Sequence, residues 1–318
     1  MMKGKILLEW FFWILLSVLL FTAGIEIAFL SPVIILAAPV PMMILTCKMG
    51  SRTGSLGALC GTGLVYMTMG PVSAFMYTCE FGLLGLLMGV LVIKIKSGVD
   101  YMLAAIAVSL LVKIFLMAVF SRAVGVNPFL ITPESATELL GSMSHVLTRG
   151  GVAVSQQTIK EYAEAMVSTV TLMMPSMLIL FAAIDSITAY ALTRLYFKRA
   201  GGFKLPSLPP FGYWRFPKNI FWALLAALVL DMASKAFPDE YLYRMLSVNL
   251  MEVLRGVFLI EGLSLLWYFM TARRAPKAVK TTLVLVCALF APVSYILSMI
   301  GIFDIWYDLR KRIKLRRK

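Results

Sequence analysis

A chain of 318 residues that is 60% hydrophobic and only 14% charged, with a mean hydropathy of +0.88, does not fit a water-soluble globule. Apolar runs of roughly twenty residues recur along it, which excludes the short alternating strands of a membrane barrel and makes the fold class all-α, a polytopic transmembrane helical bundle. The net charge of +14 does not point to nucleic acid, because the lysines and arginines gather in short segments between apolar runs, as cytoplasmic loops do.

In chain order, Lys3 and Lys5 precede a first span over about 6–23, anchored at the interface by Trp10 and Trp13. It has no small-residue cleavage site before Glu26 and reads as a retained span. A second apolar segment, about 25–47, is interrupted by Pro32, Pro39 and Pro41, which predicts a kinked or broken helix. The stretch 39–96 is crowded with glycine. Gly54, Gly57, Gly61 and Gly63 are predicted near one face of one helix, and Gly82, Gly85 and Gly89 along another. In lipid such residues let helix backbones approach closely, because packing must replace the missing hydrophobic force. Gly70-Pro71 predicts a tight turn between spans three (about 53–69) and four (72–93), hence a closely packed helical hairpin. Span five follows at about 99–120.

Residues 121–167 change character: they are polar, with three basic and four acidic residues, and are expected on the outer side. Thr132-Pro133-Glu134 reads as a helix start, and Ser155 to Thr158 as the start of a helix that feeds span six, about 169–195, with a kink at Pro175. Between 194 and 218 there are six basic residues and no acidic one, among prolines and glycines, which predicts a cytoplasmic linker. Spans seven (about 220–237) and eight (about 246–270) follow. The last apolar stretch, 281–307, carries Pro292 near its middle. A single crossing would leave the seven basic residues of 310–318 outside, so a re-entrant or tight hairpin is expected to return the tail, with both termini cytoplasmic. The predicted organisation is a six-helix membrane unit (1–198, outer loop 121–167), a linker (199–219), and C-terminal membrane helices with a basic tail (220–318).

Ionisable residues inside apolar runs are the strongest pointers to function, because charge in lipid is costly. Glu26 and Asp231 lie near span ends, and Asp304 reads as a structural ion pair with the basic tail. Glu80 and Lys113 sit well inside spans four and five, and Asp185 on span six is the natural third member. Together they are candidate ligand-binding residues, or a buried pair whose charges cancel. Glu252 and Arg255 are spaced to pair on one helix face, while Glu261 stands alone, protonated or paired with span seven. The four cysteines (Cys47, Cys60, Cys79, Cys287) form no close pair and His145 is the only histidine, so no metal or cofactor is expected. The carboxylates are scattered without a catalytic spacing, so the chain does not read as an enzyme and an intramembrane enzyme is the least supported reading.

The proline-containing segment, basic turn, GSLGALCGTG sequence, Gly70-Pro71 and closing GLLGLLMGVL resemble the substrate-binding S-components of energy-coupling-factor vitamin transporters, a superfamily that also holds MreD-like cell-shape proteins. The whole layout, including EGLSLLWYF at 261–269 and IGIFDIWYDLRKR at 300–312, is similar to YybS-like bacterial membrane proteins. The resemblance implies a six-span S-component-like unit followed by two to four membrane helices, located in the bacterial inner membrane. S-components carry an alanine-rich docking surface on their first helix. Here that helix has Phe11, Phe12, Trp13 and Phe21, so no coupling subunit is implied. Besides the lipid bilayer, the expected partner is a small solute held in the bundle. In a second reading the chain is an envelope or cell-shape scaffold that docks a membrane or cytoplasmic protein. Nucleic acid is not expected.

Overall fold

A computed structural model of the chain describes residues 2–27, 29, 31–125, 132, 134–138, 140, 141 and 155–312. All regular secondary structure among them is helical. Among the described residues, five helices are long and apolar enough to cross a membrane, or six if the bent pair Lys277–Leu289 and Ala291–Tyr307 is one span. The protein is therefore a polytopic helical bundle. It divides into two compact units, Met1–Pro128 with Leu178–Leu208, and Phe129–Met177 with Pro209–Lys318.

The first unit contains α1 (Met2–Glu26), α2 (Ser31–Ala37), α3 (Val40–Met49), α4 (Ser51–Tyr77), a π-helical turn (Thr78–Leu83), α5 (Leu84–Lys94), α6 (Gly98–Val124) and the C-terminal part of α7 (Gln156–Ala200). The proline-interrupted segment is broken as predicted, into α2 and α3. Within α4, Gly70 adopts φ 84° and ψ −179°, a conformation open to glycine, and Pro71 follows it. The chain reverses there. An unbroken helix would hold residues 58 and 82 about 36 Å apart. Instead a Cβ on Gly82 would lie 3.4 Å from that of Ala58, and the Thr62 and Thr78 hydroxyls meet at 2.8 Å.

Glycines set the closeness of this hairpin and of its packing on α3. A Cβ on Gly57 would come within 2.6 Å of Leu45, one on Gly85 within 2.7 Å of Met42, and one on Gly89 within 2.6 Å of Thr46. At Gly54 it would overlap the Thr46 hydroxyl, and at Gly61 the Tyr77 hydroxyl. Gly63 differs from the expectation: it has nothing within 4 Å, because residue 63 is turned away from the packed stripe. Tyr77 fills the space over Gly61, donates to Ser17 Oγ at 3.0 Å, and packs with Phe21 and Phe81 at ring distances of 5.5 and 5.7 Å.

Helix α7 runs for 45 residues without interruption, about 67 Å, longer than the roughly 40–45 Å of a whole bilayer. Ser155 Oγ caps it by accepting from Thr158 N at 3.1 Å, and Thr132 Oγ1 accepts from Ser135 N at 3.2 Å. Pro133 and His145 lie outside the described residues. Pro175 does not end the helix, because a polar side chain repairs the ladder. Asn249 Oδ1 accepts from Ser176 N at 2.7 Å, and its Nδ2 donates to the Leu172 and Met245 carbonyls, each at 2.7 Å. The carboxamide thus spans the rung that joins Ser176 to Leu172 in a regular helix.

The second unit holds α8 (Ile220–Ala236), α9 (Tyr241–Ala272), α10 (Lys277–Leu289), α11 (Ala291–Tyr307) and α12 (Leu309–Arg312), as well as the N-terminal part of α7. Helices α10 and α11 bend by 102° at Phe290, two residues before Pro292, in the manner of a broken or re-entrant span. Ala227, Leu254, Phe258 and Ile305 form the core between α8, α9 and α11. Helices α9 and α11 touch backbone to backbone: a Cβ on Gly301 would lie 2.9 Å from Gly262 N and overlap the Phe258 carbonyl.

Candidate functional site

Each unit buries one basic side chain between two carboxylates. In the first, Lys113 on α6 is 3% exposed, with Ser109 one turn before it. Glu80 projects from the π-helical turn, where an extra residue per turn re-aims a side chain relative to the flanking α-helix. Asp185 comes from α7. Lys113 Nζ donates to Glu80 Oε2 at 3.0 Å and Oε1 at 3.3 Å, and lies 2.8 Å from Asp185 Oδ2. Ser109 Oγ donates to the same Asp185 oxygen at 3.3 Å. The three residues singled out in the sequence therefore converge, and the cluster holds one more carboxylate than ammonium. Among the described residues, no donor reaches Asp185 Oδ1.

The second cluster is closed. Arg310 Nε donates to Asp304 Oδ2 at 2.9 Å, Nη2 to Glu261 Oε1 at 2.8 Å, and Nη1 to the Gly212 carbonyl at 2.7 Å. The remaining carboxylate oxygens are filled by backbone: Phe216 N donates to Glu261 Oε2 and Leu309 N to Asp304 Oδ1, both at 2.9 Å. Ser264 Oγ donates to the carbonyls of Phe211 and Trp214, which ties the 3-10 turn Phe211–Tyr213 and the residue after it to α9. Arg310 thereby holds the base of the tail beside residue 212. A guanidinium suits this role because its fork of donors meets three acceptors in fixed directions.

Glu261 is thus not alone, nor paired with span seven: its partner is Arg310, from the tail. Asp304 pairs as expected. Glu252 and Arg255 form their ion pair, with Arg255 Nε 2.9 Å from Glu252 Oε2 and the guanidinium 4.7 Å from the Tyr295 ring centre. At the edge of the second cluster, a hydrogen bond from Lys311 and then the Arg215 guanidinium hold Asp308 below the usual carboxylate range. Reading the sequence missed Ser109, Asn249, Arg310 and the Gly262–Gly301 crossing. Arg310 is one of seven basic residues in a run, and nothing local marks it. Among the described residues, no three histidines, cysteines or acids converge as a metal would require.

Comparison with known proteins agrees with this architecture. The chain is 22% identical over 320 residues to the uncharacterized protein YybS of Bacillus subtilis (strain 168), covering 99% of this chain and 98% of that protein. No solved structure matches. The model of a family described as predicted membrane protein (DUF2232) matches residues 15–305, nearly the whole chain, and the protein belongs to that family.

Proposed function

We propose that this integral membrane protein, placed in the bacterial inner membrane with both termini cytoplasmic, binds a small polar solute within an S-component-like bundle in its first unit. The observation that carries this reading is the surplus carboxylate of the Glu80–Lys113–Asp185 cluster. The Arg310 cluster carries the same surplus, but there side-chain and backbone donors fill all four carboxylate oxygens, whereas among the described residues Asp185 Oδ1 has no donor. An acid held in lipid with an open acceptor is costly unless it has a further task. It suits a solute that brings a cationic or hydrogen-bond-donating group, with Asp185 Oδ1 as the acceptor. Binding rather than catalysis is the role proposed.

Native mass spectrometry of the gently purified protein, with identification of any retained small molecule, tests this. A stoichiometric polar ligand that is lost in Asp185→Ala supports the reading. An empty protein that is also not stabilised by any member of a panel of vitamins and amines refutes it.

A second reading, a scaffold for envelope or cell-shape machinery, is favoured by the Arg310–Gly212 contact. It holds the start of the basic tail, Arg310 and Lys311, beside the segment bearing Arg215 and Lys218, a basic patch suited to a docking partner. Crosslinking in cells that recovers no specific partner counts against it.

A further inference from the structure

We infer that the last turns of α7 form a binding site for one anionic phospholipid. A groove of about 390 Å³ lies there, lined by Leu192, Leu195, Tyr196, Arg199 and Ala200. The first four are spaced 0, 3, 4 and 7 residues, one stripe of the helix, so apolar character at one end passes through an aromatic ring to a guanidinium at the other. Leu192 and Leu195 are 38% and 46% exposed, a surface that only hydrocarbon covers favourably in a membrane. Tyr196 is held in place: its ring packs edge-on to Trp13 at 5.1 Å, and its hydroxyl accepts from Lys48 at 3.2 Å.

The charge at this lip decides which lipid. Arg194, Lys198 and Arg199 are exposed on the last turns of α7, and no acidic residue occurs between 194 and 218. The neighbouring carboxylate, Glu9, is engaged by Lys48. A lipid phosphate binds to Arg199 through the paired donors of a guanidinium, with an acyl chain along the two leucines. A free anion would leave the leucines uncovered, and a zwitterionic headgroup would leave the basic surplus unmatched.

The test is native mass spectrometry of the full chain titrated with phosphatidylglycerol or phosphatidylcholine of matched acyl chains. Phosphatidylglycerol is expected to be retained about fivefold better, the factor for one basic side chain at a membrane surface. Arg199→Ala should bring it down to the phosphatidylcholine level, Leu192→Ser should lower both lipids, and Lys204→Ala, outside the groove, should change neither. Equal retention of the two lipids, or phosphatidylglycerol binding unchanged in Arg199→Ala, overturns the site. So does displacement of phosphatidylglycerol by millimolar inorganic phosphate, which would make the groove an anion site.

Discussion

Replacing Lys113 by methionine keeps a long unbranched side chain, one heavy atom shorter, and removes the charge between Glu80 and Asp185. Removing one partner of a buried ion pair costs about 3–5 kcal/mol, because the charge left behind is uncompensated. Lys113 and Asp185 side chains are 4% and 5% exposed, whereas Glu80 is 18% exposed and partly screened, so the lower end, about 3 kcal/mol, is the expected loss. Glu80→Gln acts differently. It removes the surplus acid, leaves Lys113 its 2.8 Å contact with Asp185, and keeps an amide oxygen to accept, so it should stay within about 1 kcal/mol of the parent protein. The combined Lys113→Met, Glu80→Gln, Asp185→Asn protein leaves no bare charge and should regain about 2 kcal/mol over Lys113→Met alone. Unfolding by dodecyl sulfate in mixed micelles, followed by tryptophan fluorescence, measures all three. If Lys113→Met is as stable as the parent, or Glu80→Gln as damaging as Lys113→Met, the charge count that underlies the site is wrong.

Asn249→Leu removes three hydrogen bonds beside Pro175; at about 0.6 kcal/mol each for polar contacts in membranes, the loss should be about 2 kcal/mol in the same assay. An effect below about 0.5 kcal/mol would mean that α7 repairs its own ladder. Gly301→Ala forces a methyl against the Phe258 carbonyl and should cost at least about 2 kcal/mol, while Gly63→Ala, in open space, should be neutral or stabilising by up to about 1 kcal/mol; similar values for both would contradict the close crossing. Acidification tests the tail. Asp308 is depressed, so its contribution is complete above the ordinary aspartate pKa near 4 and is lost as pH falls through its lower folded value. Hydrogen exchange at 309–312 should therefore rise only below about pH 4. Asp308→Asn, which tolerates the φ of 48° there, should remove that step, and an unchanged step would assign it to another acid.

Much of the helical layout was legible because lipid leaves the backbone few alternatives. Long apolar runs must be helices, Gly70-Pro71 favours a turn, and the prolines at 32, 39 and 41 divide their segment, with Pro32 and Pro41 each at the second position of a helix. Thr132 and Ser155 announced helix starts through chemistry that acts over three residues. The small-residue stripes were legible for the same reason, since α-helical spacing alone places Gly54, Gly57 and Gly61 on one side. Gly63, outside that spacing, was not a packing residue.

By itself, then, the sequence determined that this is a multi-span helical membrane protein, where its chain turns, and which buried charges needed explaining, because hydropathy, helical period and backbone sterics are local properties. Only the tertiary structure decided how those charges pair. Lys113 meets Asp185 from 72 residues away, Glu261 meets Arg310 from 49, and Asn249 enters a helix ladder 73 residues before it. Such partners are selected by the packing of whole helices, and any of several lysines or arginines satisfies a carboxylate equally well until that packing brings one of them within 3 Å.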